Sequence, residues 1–323
     1  MKKMQQTSSS VNNMEYKHIP VLLKETIEGL NIKENGIYVD GTLGRGGHSS
    51  EVLKRLTTGH LYCFDQDIQA INESRERLEK ISSSFTLIND NFENLKKDLN
   101  EIGVNKVDGI MFDLGVSSAQ FDEQDRGFSY RYDARLDMRM NPNDELSAYE
   151  VVNGYSKEAL TKIFYEYGEE KWSARVAEFI IEKREKKPVE TTLELVEIIK
   201  AAIPKRVRVE GSHPAKRIFQ AIRIEVNNEL GILKNTISDI VDVLNPGGRI
   251  SVITFHSLED RIIKKAFTEL AMGCVCPKTF PVCVCNRQPI VKIIAKKPIL
   301  PTTKEENENP RSKSAKLRVA EKI

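Results

Sequence analysis

Residues 37–48 read Ile-Tyr-Val-Asp-Gly-Thr-Leu-Gly-Arg-Gly-Gly-His, and they are the most informative part of the sequence for the fold. A short apolar strand at 37–39 ends in Asp40 and runs into a glycine-rich turn that opens a helix. Glycines let a backbone adopt positive φ and lie close to a ligand. The first N–H groups of a helix can bind an anion such as a carboxylate. The pattern therefore predicts a cofactor-binding loop at the end of a strand.

A second acid, Asp65, ends the next predicted strand. A carboxylate at this place can accept two hydrogen bonds from a ribose diol. The glycines at 41, 44, 46 and 47 do not match the G-x-G-x-x-G fingerprint of nicotinamide enzymes. They fit better the E/D-x-G-x-G-x-G loop of methyltransferases, from Asp40 to Gly46, although Thr42 replaces its first glycine. A tight turn without a ligand is the alternative interpretation.

Strand and helix signals alternate from residue 18 to residue 113, which indicates an α/β fold with a parallel sheet. The predicted strands lie at 37–39, 61–64, 85–88, 107–112 and 249–255, with two further candidates near 290–295 and 317–320.

Between the fourth and fifth strands, the pattern from about residue 147 to residue 203 is purely helical, with capping boxes at Ser147 and Thr191. One long amphipathic helix over 219–244 follows, ended by residues 245–248. We therefore predict a discontinuous sheet domain with an inserted all-helical domain that recognises the substrate. The predicted domain boundaries are 15–135 and 210–323 for the sheet domain and 136–209 for the insertion.

The composition is that of an ordinary globular protein of 323 residues, with 40% apolar and 30% charged residues. No run of about 20 apolar residues predicts a membrane span. Residues 1–14 are polar and predicted to be disordered, so that Met14 is an alternative start. Five cysteines without a secretory signal favour a reducing, cytoplasmic compartment. The net charge of +2 does not by itself indicate nucleic acid.

Six longer strings closely resemble the bacterial small-subunit ribosomal RNA cytosine-N4 methyltransferases, the RsmH (MraW) family. They are, in chain order, residues 17–23 (KHIPVLL), 40–48 (DGTLGRGGH), 113–120 (DLGVSSAQ), 127–140 (GFSYRYDARLDMRM), 213–227 (HPAKRIFQAIRIEVN) and 255–261 (FHSLEDR). The resemblance spans about 15–323. It implies an S-adenosylmethionine-dependent methyltransferase with a class I (Rossmann-like) fold and a helical insertion. The implied substrate is one cytidine of 16S ribosomal RNA in the decoding centre, where the P-site codon is held.

The family's cofactor contacts carry over to matching positions, namely Gly46, Gly47, His48, Asp65, Phe92, Asp113 and Gln120. One departure is the string Asp133-Ala134-Arg135, where the family often has Asp-Gly-Pro. That change concerns a loop outside the predicted cofactor site.

Methylation of a cytosine amino group requires alignment and an acceptor for the amino proton. Asp113, at the end of the fourth strand, could bind the cofactor or take part in catalysis. His256 follows the fifth strand and could line the base pocket; the alternative is a structural His256 beside a helix capped by Ser257. Ring-carbon methylation would need a nucleophilic cysteine, but Cys63 lies inside a strand and is predicted to be part of the core.

Two basic stretches are candidates for phosphate contacts. Their residues are Arg206, Arg208, Lys216, Arg217, Arg311 and Lys313. The alternative for each is a solvated charged surface. Aromatic side chains that could stack on a flipped base are Phe121, Phe128, Tyr130 and Tyr132, and packing between the sheet and the insertion is an equal alternative.

Four late cysteines, Cys274, Cys276, Cys283 and Cys285, could supply thiolates to zinc or be simple reduced thiols. No catalytic metal is predicted. Three other functions stay open at this point: an RNA-binding assembly factor without turnover, a small-molecule methyltransferase and a nicotinamide oxidoreductase. The sequence does not decide between a monomer and a homodimer.

Overall fold

The computed structural model describes residues 20–209, 213–277, 279 and 282–323. The predicted disordered tail 1–14, with Met14, lies outside the described residues, and so does the predicted domain boundary at residue 210.

Seven strands form one sheet in the order β3-β2-β1-β4-β5-β7-β6. The strands are β1 (Ile37–Asp40), β2 (His60–Phe64), β3 (Phe85–Ile88), β4 (Val107–Asp113), β5 (Leu244–Thr254), β6 (Val291–Ile293) and β7 (Lys316–Lys322). The first five pair in parallel, while β7 pairs antiparallel with β5 and with β6. The strand order changes direction between β1 and β4, which is where open α/β sheets bind ligands.

Fourteen helices are assigned within the described residues. Those before the fourth strand or directly after it are α1 (Leu23–Leu30), α2 (Gly47–Leu53), α3 (Ile68–Glu79), α4 (Leu95–Glu101) and α5 (Ser118–Asp122). The insertion contributes α6 (Ala148–Gly154), α7 (Lys157–Glu166), α8 (Ser173–Arg184), α9 (Thr192–Ala202), α10 (Lys205–Val209) and α11 (Ala215–Val226). The remaining helices are α12 (Glu229–Asp242), α13 (Ser257–Leu270) and α14 (Thr303–Glu308).

All seven predicted strands are present, and the helical segment lies between β4 and β5 as predicted. Both predicted capping boxes form, with Ser147 beginning α6 and Thr191 beginning α9. These matches follow from apolar periodicity and from short-range side-chain bonds, which are local properties of the sequence.

The single long helix predicted for 219–244 is wrong, because the chain forms two helices, α11 and α12. The break falls at Asn228, whose φ of +47° is left-handed and cannot continue an α-helix. The amide of the preceding Asn227 bonds to the backbone of Met138 and Met140 instead of facing solvent. Residues 245–248 do not end the helix either; they lie within β5, where the register against β4 shifts between Val107 and Gly109.

Two apolar layers cover the faces of the sheet, and a third cluster forms the core of the insertion. One layer includes Leu233 and Ile237 of α12, and the other includes Val52 of α2 and Ile71 of α3. The insertion has its own buried cluster, which runs from Phe128 to Val226.

The cluster of the insertion is therefore wider than the predicted boundaries 136–209 at both ends. Its extra members are loop residues before 136 and the apolar side of α11, which packs on α7, α6 and α9 rather than on the sheet. The periodicity of a helix shows which side is buried but not which neighbour buries it. None of the helices in the described part of the chain is long and apolar enough to span a membrane.

Candidate active site

Three acidic residues lie side by side at the carboxyl edge of the sheet, where its strand order reverses. Asp40 ends β1, Asp113 ends β4 and Asp65 follows β2, and these three strands are neighbours. Parallel strands bring their carboxyl ends to one edge, so acids far apart in sequence meet there. We call Asp40, Asp65 and Asp113 the acidic edge.

Asp40 and Asp65 are held by local hydrogen bonds. Asp40 accepts from the Ser49 hydroxyl at 2.6 Å and from the Thr42 N–H at 3.1 Å. Asp65 accepts from the N–H groups of Gly44 and Asp67, at 2.8 and 2.9 Å, one on each carboxylate oxygen. A carboxylate oxygen has more than one acceptor site. Both oxygens of Asp65 therefore retain capacity for a pair of ribose hydroxyls.

Asp113 is the least compensated of the three. Its Oδ1 is buried and has no hydrogen-bond partner among the described residues. Its Oδ2 lies 3.7 Å from Nδ1 of His48. Nε2 of that imidazole lies 3.0 Å from the carbonyl oxygen of Val21, which can only accept. Nε2 therefore carries a proton, and Nδ1 faces the carboxyl group.

Burial raises the pKa of all three acids of the acidic edge. The pKa of Asp40 rises to about 6 and that of Asp65 to about 7, with desolvation as the main cause in each. Desolvation, followed by the nearby charges of Asp40 and Glu259, raises the pKa of Asp113 to about 8. Buried carboxyl groups that have no positively charged partner favour a ligand that brings hydrogen-bond donors and positive charge.

The glycine loop shapes the space beside these acids. Gly44 and Gly46 have φ of +50° and +70°, a backbone region that favours glycine. At Gly44 a Cβ would meet nothing closer than Ser117 at 3.8 Å, so this part of the loop borders open space. At Gly47 a Cβ would lie 2.4 Å from Pro20, so this glycine is needed for packing.

Thr42, the departure from the methyltransferase pattern, has a role of its own in this loop. Its hydroxyl accepts the N–H of Asp113 at 2.6 Å and so ties the loop after β1 to the end of β4. The residue that departs from the pattern thus fixes the backbone of Asp113.

Phe92 and Gln120, the other predicted cofactor residues, flank the same edge. The half-buried ring of Phe92 packs edge-on against Phe112 of β4, with centroids 5.2 Å apart. Gln120 is buried; its carbonyl oxygen accepts the N–H of Ser117 at 3.1 Å and its amide donates to Asp67 at 2.9 Å. The protein therefore uses much of the bonding capacity of Gln120 to fix the loop after β4.

A polar cleft of about 350 Å³ lies between the loops after β2 and β3 and the insertion. Gln66 and Asn91, the neighbours of Asp65 and Phe92 in sequence, line one side. Asn141 and Asn227 line the other. Residues next to Asp65 and Phe92 in sequence thus share this cleft with residues of the insertion.

His256 has a structural place in a buried ionic network. It caps α13 itself: its Nδ1 accepts the Glu259 N–H at 3.5 Å, and its Nε2 lies 3.2 Å from Oε1 of Glu259. The predicted cap at Ser257 is therefore wrong, because Ser257 is the first helical residue and donates its hydroxyl to Glu169 at 2.8 Å. The imidazole ring of His256 is only 9% exposed.

Arg223 and Glu229 complete this network with a two-fold hydrogen bond of 2.7 and 2.8 Å. We call Arg223, Glu229, His256 and Glu259 the ionic network. It borders the site, since a Cβ on Gly115 would lie 3.7 Å from Arg223 and 3.8 Å from Glu259. No local sequence pattern indicates this network, because its members come from three separate helix ends.

The predicted phosphate contacts fall on two parts of the molecule. Arg206 and Arg208 belong to α10, and Lys216 and Arg217 are exposed on α11. Arg217 also donates to the carbonyl of Glu169 at 3.0 Å.

The other two predicted phosphate contacts, Arg311 and Lys313, lie before β7. Lys313 is exposed, whereas Arg311 pairs with Asp122 of α5. Arg217 and Arg311 thus have structural bonds that an RNA phosphate would have to share or replace.

The candidate stacking aromatics are mostly used for packing. Phe128 is buried in the core of the insertion, with Phe121 against it. Tyr130 stacks on His213, with ring centroids 4.5 Å apart and planes 4° from parallel. Tyr132 is 44% exposed and has the most accessible ring of the four.

Sequence reasoning also missed Arg126, which holds the loop after β4 in place. Its guanidinium donates to Asp67 at 2.8 Å and to the carbonyls of Arg139 and Met140. No local pattern marks an arginine whose partners are 13 to 59 positions away. The four late cysteines lie together between α13 and β6.

The sheet order, the glycine loop and the acidic edge define the class of protein. An α/β sheet that reverses at a glycine loop, with a ribose-type acid after β2 and a helical insertion after β4, is a class I methyltransferase dependent on S-adenosylmethionine. The residues fit the cofactor, because the uncompensated acids complement its sulfonium, its ammonium group and its ribose hydroxyls.

Comparison with known proteins gives the family. The model of the MraW methylase family matches residues 15–323. The Ribosomal RNA small subunit methyltransferase H of Clostridioides difficile is 57% identical over 311 residues, which cover 96% of this chain and 100% of the relative. That of Ruminiclostridium cellulolyticum is 56% identical over 313 residues, with the same coverage. The chain belongs to the MraW methylase family.

Solved structures with a similar fold are more distant. A ribosomal RNA methylase from Streptococcus thermophilus is 14% identical, with a TM-score of 0.38 and 93% of each chain covered. A SAM-dependent O-methyltransferase from Thermotoga maritima is 11% identical, with a TM-score of 0.39 over 96% of this chain and 69% of that one. These TM-scores are too low to bear on the function of this chain.

Proposed function

We propose that this enzyme methylates the N4 amino group of one cytidine in the decoding centre (P-site region) of 16S ribosomal RNA, within the small ribosomal subunit. Membership of the family, whose relatives are named for methylation of small-subunit ribosomal RNA, supports the class of substrate. The proposal further specifies the N4 amino group as the methylated group, a single cytidine as the target and a cytoplasmic ribosomal particle as the substrate.

The cofactor is assigned to the acidic edge and its surroundings. Asp65 accepts the ribose hydroxyls, Phe92 borders the adenine and the backbone of Gly46, Gly47 and His48 borders the amino-acid end. The His48 side chain is a positioning group, because it is buried between the Val21 carbonyl and Asp113. Gln120 keeps one amide hydrogen and one lone pair for the cofactor.

The observation that best supports this reaction is the buried Oδ1 of Asp113, which has no hydrogen-bond partner among the described residues. The N4 lone pair of cytosine is delocalised into the ring, so the amino group is a weak nucleophile. A buried acceptor that receives an N4–H hydrogen bond favours localisation of that lone pair and then takes the proton lost on methylation. Bound S-adenosylmethionine supplies the activated methyl group and leaves as the thioether.

The ionisation of Asp113 fits this role. Its pKa of about 8 keeps much of it protonated at neutral pH when the site holds no cation. A sulfonium charge nearby would lower that pKa and favour the carboxylate. His48 Nδ1, at 3.7 Å from Oδ2, keeps the carboxyl group oriented. The acceptor is thus formed mainly when the methyl donor is in place.

Recognition of the ribosomal RNA is assigned to the insertion. A cytidine inside a folded particle must be unpaired or flipped out to reach the cofactor, at a cost of a few kcal/mol. The basic residues of α10 and α11 can bind the neighbouring phosphates. Tyr132, whose ring is the most accessible of the four candidates, can stack on a displaced base.

The experiment is methyl transfer from labelled S-adenosylmethionine to small subunits that lack the modification, followed by mass spectrometry of the digested nucleosides. We expect N4-methylcytidine at a single position. Label in a ring-carbon product would contradict the assigned chemistry, and label in another RNA would contradict the assigned substrate. Bound cofactor without transfer to any small-subunit particle would overturn the proposal.

A further inference from the structure

We infer that Cys274, Cys276, Cys283 and Cys285 bind one structural zinc ion that holds the loop between α13 and β6. The proposal is independent of the reaction, since none of these residues belongs to the acidic edge. We call these four residues the cysteine cluster, and residues 271–290 the cysteine loop.

The geometry of the cysteine cluster suits a single tetrahedral ion. All four Sγ atoms lie within 4.8 Å of one another, and all four cysteines are free. The Sγ atoms of Cys283 and Cys285 are 3.6 Å apart, and those of Cys285 and Cys274 are 3.7 Å apart. A zinc–sulfur bond of about 2.3 Å gives a tetrahedral edge of about 3.8 Å, which is close to both separations.

The backbone around the sulfurs repeats in a nearly symmetrical way. Each half of the cluster reads Cys-Val-Cys. The N–H of Val275 donates to Cys285 at 3.5 Å, and the N–H of Val284 donates to Cys276 at 3.4 Å. The central residue of each half thus donates to the last sulfur of the other half. Such N–H groups stabilise negative charge on sulfur, as thiolate ligands require.

The cysteine loop has no apolar core that could hold the sulfurs together. Among its described residues from Met272 to Ile290, none is buried. Val275, Val282 and Val284 are instead 52–71% exposed. A segment without a core needs another crosslink to be ordered. The free energy of zinc binding can supply this order.

The base of the cysteine loop is closed independently of the metal. The N–H of Ile290 donates to the carbonyl of Leu270 at 2.7 Å, and the Arg287 guanidinium donates to the carbonyl of Glu269 at 2.6 Å. The ends are therefore fixed on α13, and this lowers the entropy lost when the four sulfurs converge.

Zinc is favoured over an iron–sulfur cluster by the same distances. In a polynuclear cluster the cysteines bind different iron atoms, whereas sulfurs within 4.8 Å of one another surround a single point. A closed set of four thiolates is also typical of structural rather than catalytic zinc. The ion would hold the loop and take no part in methyl transfer.

The test is the metal content of the full-length protein purified without chelators. We expect about one zinc per chain, and replacement by Co²⁺ should give the visible spectrum of tetrahedral thiolate coordination. The double variant Cys274→Ser/Cys283→Ser should lose the metal. The matched control is Cys63→Ala, which removes the buried cysteine of β2 and should retain it.

Two further readouts separate a lost site from a misfolded protein. In the double variant, protease cleavage within the cysteine loop should become faster while S-adenosylmethionine affinity stays within about two-fold, because cofactor contacts are untouched. The inference is overturned if the reduced wild-type protein contains no metal and binds no Zn²⁺ in an anaerobic titration. It is also overturned if the bound metal is iron.

Discussion

Two neighbouring sets of buried charges meet near Gly115, and they are built in opposite ways. In the ionic network each carboxylate has a nitrogen partner: Arg223 binds Glu229, and the His256 imidazole lies against Glu259. In the acidic edge three carboxyl groups lie near one another, and among the described residues no lysine or arginine pairs with them. One set is complete within the protein, and the other requires a ligand.

The pKa values follow this difference. Burial would raise the pKa of Glu259, but its contacts with His256 and the charge of Arg223 hold it below its usual value. Burial is not offset at Asp113, whose pKa rises to about 8. Although both groups are buried, Glu259 is therefore stabilised as the ionised carboxylate and Asp113 as the neutral acid. Buried carboxyl groups without positively charged partners indicate a binding site more reliably than burial alone.

The sharpest test of the comparison is Asp113→Asn. Loss of the carboxylate should lower kcat by about 10²- to 10⁴-fold, the range typical of a lost general base. The fold should be at least as stable as before, because an uncompensated buried carboxyl group is removed. Single-turnover methyl transfer and thermal unfolding measure the two effects. An unchanged kcat would show that Asp113 only shapes the site.

The opposite result is expected for the ionic network. Glu229→Leu leaves Arg223 buried without its partner and should lower the free energy of unfolding by about 3–5 kcal/mol. The double variant Arg223→Met/Glu229→Leu should recover much of that loss, because Arg223 is then no longer buried without its partner. Denaturant unfolding of the two variants measures this. If the double variant is as unstable as the single one, the pair contributes through packing and not through charge.

The difference between the two regions also explains what the sequence could predict. The glycine loop and the acids at strand ends are local features at fixed distances from apolar strands, so the sequence alone predicts Asp40, Asp65 and Asp113 at the ends of three strands. His256 and Arg223 depend on which helices pack together, and that is a tertiary property. The helix break at Asn228 is also a tertiary property, because the apolar periodicity continues through it. The amide of Asn227 bonds to the carbonyl of Met138, which lies far away in the sequence.

A third test concerns the acidic edge alone. Asp65→Ala removes the acceptor assigned to the ribose and should weaken S-adenosylmethionine binding about 10- to 100-fold, as expected for a hydrogen bond to a charged group. Calorimetric titration measures the change, and the exposed Asp239→Asn on α12 is the matched control. Affinity equal to that of the control would remove Asp65 from the cofactor site.

A weaker effect is expected at the basic residues of α10. Arg206→Glu/Arg208→Glu on α10 should reduce affinity for small subunits about ten-fold and make its salt dependence shallower, because roughly two phosphate contacts are lost. Cofactor affinity should not change. Lys264→Glu/Lys265→Glu, two exposed lysines of α13, makes the same change of charge on the sheet domain. Equal losses in both variants would indicate a general charge effect and not a contact of the insertion.

The pH dependence of stability also separates the two regions, which should act in opposite directions. A carboxyl group with a raised pKa holds its proton more tightly in the folded protein. The contribution of the acidic edge is therefore complete below about pH 4 and is lost as the pH rises towards 8. Glu259 has a lowered pKa, so its contribution is present at neutral pH and is lost on acidification below about pH 4. Thermal unfolding from pH 4 to pH 9 should show a decline that is less steep in Asp113→Asn. Bound S-adenosylmethionine brings positive charge to the acidic edge, so it should also reduce this slope. A slope that is changed neither by Asp113→Asn nor by the cofactor would show that the acidic edge does not cause the decline.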